Sequence, residues 1–570
     1  MLQVRALPGA QFSARIICPM TIKVFTVAEI VAAEKAADAA GHSYAQMMEI
    51  AGSRVAEAIM QRHDVDGRQV LILVGPGNNG GDGLVAGRYL AEAGASVAFY
   101  LFKPRDAQQD ANMARVEQMG LEVVLADYDQ RYRVLHHRLR ISDVVVDALL
   151  GTGVSRPITG PLAVLMEQIA AGLAERKSER PAGLGLLSVA APPIAPDDDV
   201  TIDERAARPV VVAVDCPSGL NCDSGSLDPL AIPADLTVTF AGPKRGHFKF
   251  PGADACGELI VADIGIDPAL PAVAKVPLEL ATADLARGLM PKRPADGHKG
   301  TFGTVLIAAG SIRYWGAPAL SARGAFRSGV GLVTLAVPQR LRPALAGQFP
   351  EATYPLVTDT DVLGVATANL LLSSLSNYRA LLVGPGLGDA ESFMSALLDG
   401  LREAKGDAVP LLVVDADGLN LLAATADWPG RLPPHTILTP HPGEMARLSG
   451  MSLSALRDED RVELARDKAA EWGTVVVLKG AYTVIAAPDG RTTILPFANP
   501  ILSVGGSGDV LAGIIAGLAA QGAPAYEAAV LGGYLHGAAG ELASDFWGDA
   551  GLLASELADW VSHARRALTG

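Results

Sequence analysis

Short runs of apolar, β-branched residues constrain this chain most: QVLILV (69–74), DVVVDALL (143–150), PVVVAVD (209–215), PLLVVDADGL (410–419) and TVVVLKG (474–480). A strand with one face in water alternates apolar and polar residues, whereas one that is apolar throughout must be covered on both faces. Helical stretches separate these runs, so the pattern predicts an α/β fold of parallel sheets covered by helices. SVAFYLF (96–102), LTVTFAG (236–242) and ELIVADIGI (258–266) extend the pattern in the first half. GTVLIAAGS (303–311), GLVTLAVP (331–338), ALLVGPGLG (380–388) and HTILTPH (435–441) extend it in the second. YTVIAAPDGRTTILPF (482–497) reads as a hairpin about Asp489-Gly490. Thr26…Glu29 and Ser43…Gln46 have capping-box spacing ahead of Ala-rich helices, and Gly41 ends the first of these.

A length of 570 residues exceeds one ordinary domain. The α/β pattern restarts after DPALPAVAKVP (267–277), which divides the chain. We expect a disordered extension over 1–20, with Met20 an alternative start, then an N-terminal domain over 21–270. A Pro/Ala/Gly-rich insertion at about 180–208 interrupts it, a linker follows over 271–280, and a C-terminal domain covers 281–570. Asp197–Asp199, inside the insertion, read as solvated loop acids. A net charge of −15 disfavours nucleic acid as a partner. No apolar run is long enough to span a membrane. The cysteines Cys18, Cys216, Cys222 and Cys256 form no disulfide framework, so the expected setting is reducing and cytoplasmic. Apolar helices at the domain edges leave homo-oligomer formation open.

GPGNNGGDG (75–83) follows the first buried strand with the G-x-G-x-x-G spacing of a pyrophosphate-binding turn. The next strand ends in FKPRD, with Lys103 before any acid that would hold a ribose hydroxyl, and no Lys-Ser/Thr follows the glycines, so no Walker loop is present. Polar groups close three strands of this half: Asn78–Asp82, Asp147 and Asp215. In open parallel sheets, ligands bind beyond the strands' carboxyl ends. Cys216 has no adjacent base in the sequence and reads as a buried thiol.

GPGNNGGDG, DALLGTG (147–153) and VDCPSG (214–219), with both capped helices and MMEIAG (47–52), make the first half resemble the NAD(P)HX epimerase family. The resemblance implies interconversion of the R and S epimers of hydrated NADH and NADPH at C6, with a potassium ion. It implies that Asn78, Asn79, Gly80, Gly81 and Asp82, with Gly151, Thr152, Gly153, Val154, Ser155, Arg156 and Pro157, surround the hydrated nucleotide. Asn79, Asp147 and Ser218 would hold potassium, a hard cation suited to oxygen donors. Asp215 would face the nicotinamide, and we assign it the acid/base role.

In the second half GGSGD (505–509) precedes a long apolar helix, so backbone N–H groups can face an anion there. With KGTFGTVLIAAGS (299–311), YWGAPALSARGAFRSGVGLVTL (314–335), GPGLG (384–388), DADGLNLL (415–422), TPHPGEMARL (439–448) and KGAYT (479–483), it resembles the ribokinase-like ADP/ATP-dependent NAD(P)HX dehydratases. The resemblance implies phosphorylation of the C6 hydroxyl of the S epimer and loss of phosphate, with Mg2+ accompanying the nucleotide. Ala317, Gly388, His441 and Asp509 would contact the hydrated nucleotide, with Asp509 catalytic. Lys479, Gly480, Ala481, Tyr482, Thr483 and Gly508 would contact ADP or ATP. Ser507 replaces the threonine usual in GGTGD and keeps its hydroxyl; Ala498 and the ILSV of 501–504 depart further.

The expectation is a Rossmann-like α/β sandwich joined to a ribokinase-like one, repairing NADHX and NADPHX with ADP as the favoured donor. The alternative is a ribokinase-like small-molecule kinase with an N-terminal nucleotide-sensing domain. The two differ in product: a stable phosphoester for the kinase, free phosphate and NADH for the dehydratase.

Overall fold

In the computed structural model, which describes residues 22–154, 156–178, 208–404 and 409–569, the chain forms two compact units divided between Val276 and Pro277. The extension, most of the insertion, and Ser155 lie outside the described residues. The stretch 271–280 holds a short helix, Pro271–Ala274, and a strand, Leu278–Leu280, on either side of that division.

The N-terminal unit opens with both capping boxes formed. Glu29 N donates to Thr26 Oγ1 at 3.2 Å and Thr26 N to Glu29 Oε2 at 2.7 Å; Ser43 and Gln46 make the reciprocal pair. They start the helices Val27–Ala39 and Tyr44–Met60. Gly41 follows the first helix at φ +99°, a conformation a side chain would strain.

All six sequence-predicted strands of this unit are present, joined by an edge strand, Glu122–Leu125, whose short, partly exposed run gives little sequence signal. The sheet is wholly parallel, in the order 122–125, 96–101, 69–74, 144–148, 210–214, 236–240, 258–262. Chain order reverses between Gln69–Val74 and Val144–Ala148, the topological switch point of a doubly wound sheet. Helices Tyr44–Met60 and Asn78–Glu92 cover one face, and Arg133–Ile141 with Gly160–Ser178 the other. The burial of Val145, Val146, Val211 and Val212 is complete or nearly so, and each such side chain contributes about 1.5–3 kcal/mol. Gly83 and Gly87 bring helix Asn78–Glu92 hard against the sheet: a Cβ at Gly83 would sit 2.6 Å from that of Ala148.

In the C-terminal unit the strand order is 278–280, 492–494, 484–486, 475–478, 437–438, 411–414, 380–383, 304–308, 332–336. Pairing is parallel from Leu332–Ala336 to Val475–Leu478, then antiparallel through the hairpin of Val484–Ala486 and Thr492–Ile494. Ala317–Ser328, Ser507–Ala520, Ala525–Trp547 and Ala554–Thr569 pack together into the largest apolar core. No helix among the described residues is long and apolar enough to cross a membrane.

Candidate active sites

At the N-terminal switch point the chain passes very close to itself. Gly75 N donates to Ala148 O at 3.0 Å, and a Cβ on Gly75 would fall 1.8 Å from Leu149 O, so only glycine fits. Helix Asn78–Glu92 starts from Gly77, which supplies no side-chain cap. Asn79 Nδ2 donates to Leu150 O at 2.9 Å. Ser218 Oγ donates to Asp147 Oδ1 at 2.6 Å and accepts from Leu150 N at 2.9 Å, while Ser218 N donates to Asp147 Oδ2 at 2.8 Å. The fold therefore gathers Asn79, Asp147 and Ser218 around the backbone of Leu149–Leu150. Asp147 is 0% exposed. Burial raises its pKa, and hydrogen bonds from Ser218 and Leu149 partly offset that.

Gly80 and Gly81 are buried beneath Arg105 and Met48, whereas Asn78 stands exposed at the helix start. Gly151 lies against Asn79, 3.3 Å away from a built Cβ. Thr152 and Val154 are half-buried; Gly153, Arg156 and Pro157 are exposed.

Asp215 leaves strand Val210–Val214 at φ +64°, a left-handed conformation that Asp and Asn tolerate better than most residues. Its Oδ1 accepts from Thr239 Oγ1 at 2.9 Å and from Phe240 N at 3.2 Å, and forms an ion pair with Lys244 Nζ. Lys244 is 1% exposed, and its Nζ also donates to Thr239 Oγ1 at 2.8 Å. Burial would raise the Asp215 pKa, but Lys244, with help from His247, holds it below the usual carboxylate range. Asp82 moves the other way: burial, then the charges of Asp215 and Glu34, hold it well above its ordinary value despite Arg105 and Lys244. Burial and Asp215 raise Glu34 as well.

Glu34, Arg105, Lys244 and His247 are absent from the sequence-derived site. Lys244 carried a usable signal, a lysine just beyond a buried strand, the same feature that marks Lys479. Cys216 is fully buried with Cys222 and Cys256, and all three are free.

In the C-terminal unit, helix Ser507–Ala520 starts from Gly506 at φ +91°, again without a side-chain cap. A Cβ on Gly508 would lie 3.5 Å from Lys479 Nζ, which places the ammonium beside the helix N-terminus. Lys479 follows strand Val475–Leu478 and does not reach for solvent: its Nζ donates to Asp415 Oδ1 at 2.7 Å and stands 3.7 Å from Glu444 Oε2. Thr439 Oγ1 also donates to Asp415 Oδ1, at 2.7 Å.

Asp509, in the first turn, is pushed up to about 7 by burial and by Asp415, against the opposing charge of Lys479, with Asp417 and Glu444 raising it further. Burial likewise takes Glu444 to about 7. A carboxylate with that pKa exchanges protons readily at neutral pH. His441 caps helix Pro442–Ser449: its Nδ1 accepts from Gly443 N at 3.0 Å, and its N donates to Glu444 Oε2 at 2.8 Å. Burial, Lys479 and Arg447 lower its pKa, which favours the neutral imidazole.

Gly388 N donates to Asp417 Oδ2 at 3.0 Å. Ala317 opens helix Ala317–Ser328 against Gly386, where a built Cβ would lie 3.0 Å from that of Ala317. Arg461 braces the 479–483 loop through the carbonyls of Leu478, Lys479 and Ala481. Gly480 and Ala481 are exposed there, Tyr482 is buried, and Thr483 Oγ1 donates to Gly480 O at 2.8 Å. Asp415, Asp417, Glu444 and Arg461 had no role in the sequence-derived site.

Residues 305–562 match the NAD(P)H-hydrate dehydratase family, and residues 44–246 match the family described as the YjeF-related protein N-terminus. The chain is 40% identical over 531 residues to the bifunctional NAD(P)H-hydrate repair enzyme of Moorella thermoacetica, covering 92% of each. It is 37% identical to that of Thermofilum pendens, covering 96% of this chain and 97% of the relative. Among solved structures it is similar to the ADP/ATP-dependent NAD(P)H-hydrate dehydratase of Bacillus subtilis co-crystallised with ATP and Mg2+. Identity is 35% and the TM-score 0.44, over 51% of this chain and 98% of that one.

Proposed function

The chain belongs to the family of bifunctional NAD(P)H-hydrate repair enzymes, and from that premise we propose which residues perform each half of the repair. The N-terminal unit interconverts the R and S epimers of NADHX and NADPHX at C6. The C-terminal unit dehydrates the S epimer at the expense of ADP or ATP. We favour ADP as donor and a reducing, cytoplasmic setting, which free buried thiols suit.

One observation carries the dehydratase assignment: Asp509, with a pKa of about 7, beside Lys479 at the start of an uncapped helix. Ionised Asp509 takes the proton of the C6 hydroxyl as that oxygen attacks the terminal phosphoryl group. Lys479 and the backbone N–H groups at Ser507–Gly508 steady the charge on the phosphoryl oxygens. Phosphate then leaves C6 as C5 loses a proton, which restores the ring double bond and yields NAD(P)H and phosphate, with AMP left from ADP or ADP from ATP. Ala317, Gly388 and His441 bind the hydrated nucleotide, and Lys479–Thr483 with Gly508 bind the adenine nucleotide. Asp415, Asp417, Glu444 and Asp509 outnumber the one lysine among them. Among the described residues no three such side chains are grouped to hold a metal ion, so Mg2+ would come with the nucleotide and neutralise its phosphates.

In the N-terminal unit Asn78–Asp82 and Gly151–Pro157 surround the hydrated nucleotide, and Asp215 faces its ring. Asn79, Asp147 and Ser218 fit potassium. They offer hard oxygen donors, and the partners of the buried Asp147 carboxylate are a hydroxyl and backbone N–H groups. The ion would supply positive charge beside an anionic nucleotide.

The test is to incubate mixed NADHX epimers with ADP or ATP and follow NADH absorbance and phosphate. Full conversion is expected. Conversion that stops when the S epimer is spent removes the epimerase half; a stable phosphoester without NADH returns the chain to a small-molecule kinase. Substituting tetramethylammonium for potassium should slow epimerisation, and an unchanged rate would remove potassium from the N-terminal site.

A further inference from the structure

Asp215 is paired with Lys244, Asp82 and Glu34 lie within the field of that pair, and Glu34 has no part in the repair steps assigned so far. Its placement is built into the fold. Phe25 runs beside Lys244, with Phe25 N donating to Pro243 O at 2.9 Å and Arg245 N donating to Phe25 O at 3.0 Å. The Thr26 capping box starts helix Val27–Ala39 directly from this pairing, and Val27 N is held by Asp223 Oδ1 at 2.8 Å. Glu34 lies seven residues into that helix, about 10 Å along its axis. It stands on the buried stripe of Ile30, Ala33 and Ala37, where helical spacing calls for an apolar residue. There it is half-buried, on a stripe whose Ile30 and Ala33 pack with Phe25 beside Ala241, and its charge is coupled to those of Asp215, Lys244 and Asp82. An acid on a core-facing stripe costs stability, and packing gives no reason for it.

We propose that Glu34 is the general acid of epimerisation and acts in tandem with Asp215 as the base. The proposal rests on the reading of the N-terminal unit as the epimerase. C6 carries its hydroxyl next to the ring nitrogen. Glu34 in its acid form protonates that hydroxyl, the C6–O bond breaks, and water departs as the nitrogen lone pair forms the N1=C6 iminium. A second water adds to the opposite face of C6 and gives its proton to the Asp215 carboxylate. The result is the inverted alcohol, one water consumed and one released, with a proton moved from Glu34 to Asp215. Exchange with solvent or across Lys244 resets the pair.

The ion pair with Lys244 holds the Asp215 pKa down, whereas burial and the Asp215 charge raise that of Glu34. Two carboxyls pushed in opposite directions divide the acid and base roles. Asp82, Asp215, Lys244, Arg105 and His247 are the charged or titratable groups that set this balance.

The test uses the full chain and the purified R epimer without ADP, with the two epimers separated by chromatography across pH. Wild-type protein must first exchange the epimers; no exchange sinks the epimerase assignment itself. With exchange established, Glu34→Gln is expected to lower kcat about 100-fold or more, to leave KM within about threefold, and to abolish the decline in rate at alkaline pH. A Glu34→Gln protein that keeps the wild-type rate and the alkaline limb overturns the proposal. If that variant does not fold, Glu34→Asp decides: partial activity with a displaced alkaline limb supports the acid role, and an unmoved limb overturns it.

Discussion

Both candidate sites place an acid near the start of a helix that rises from a glycine without a side-chain cap: Asp82 in the helix after Gly77, Asp509 in the helix after Gly506. Their surroundings differ. Burial, then the charges of Asp215 and Glu34, hold the Asp82 pKa well above the ordinary range against Arg105 and Lys244, the latter already bound to Asp215. Asp509 also has acidic neighbours, but it feels Lys479 more strongly than either Asp417 or Glu444 and settles at about 7. One backbone device thus stands in two electrostatic settings, and burial raises the pKa of the acid in both.

The largest expected effect that would break this contrast is at Asp509. Asp509→Asn should cut NADH formation from the S epimer by about 1,000-fold while epimer exchange continues unchanged. The same variant sharpens the argument through stability. Asp509 is an acid with a raised native pKa, so the unfolded state loses this proton first and native stability falls as pH climbs from about 4 towards about 7. Asparagine removes that penalty. Denaturant melts should show a gain of about 1–3 kcal/mol for the C-terminal unit above pH 7, vanishing below pH 4. A loss of stability at pH 8 would mean that Asp509 is not strained by its surroundings. In the wild type, dehydration should fall about tenfold per pH unit below about 7, as the base becomes protonated.

Next in size is Lys244→Met, which strands Asp215 in a buried setting without its cation. A loss of about 3 kcal/mol in the N-terminal unit is expected, with epimerisation lost and dehydration of the pure S epimer retained. Smallest is Thr26→Ala. Loss of that cap should cost about 1 kcal/mol in an unfolding titration and slow epimer exchange only modestly. A large drop in exchange with intact stability would show that the helix start also tunes Glu34.

Much of this was legible in the residues. The buried strands announced themselves because covered β-structure permits no alternation, and the capping boxes because their partners are three residues apart. Asp147, Asp215 and the Asn78–Asp82 helix could be suspected because each closes a strand, and Ser218 only through the family resemblance of VDCPSG. Lys244 and Glu34 could not be paired with Asp215 by spacing: 29 residues separate Asp215 from Lys244, and Glu34 comes from a helix whose sequence shows only an acid out of place. The grip of Asp415 on Lys479 spans 64 residues. Such neighbours are products of topology, since strands adjacent in the sheet are distant in the chain. The short strands Glu122–Leu125 and Leu278–Leu280 escaped for a different reason, being too short to establish a period.

The left-handed turn at Asp215 gives its replacement by asparagine unusual diagnostic value. At most positions a mutant must be defended against the charge that its backbone has shifted. Here asparagine matches aspartate in shape and is among the few residues at ease with a positive φ. A glycine would relax the turn but leave the buried ammonium of Lys244 without its partner, at a cost of about 3 kcal/mol. Asparagine keeps the bend and the shape while removing the charge, so it separates what the carboxylate does from what the turn requires.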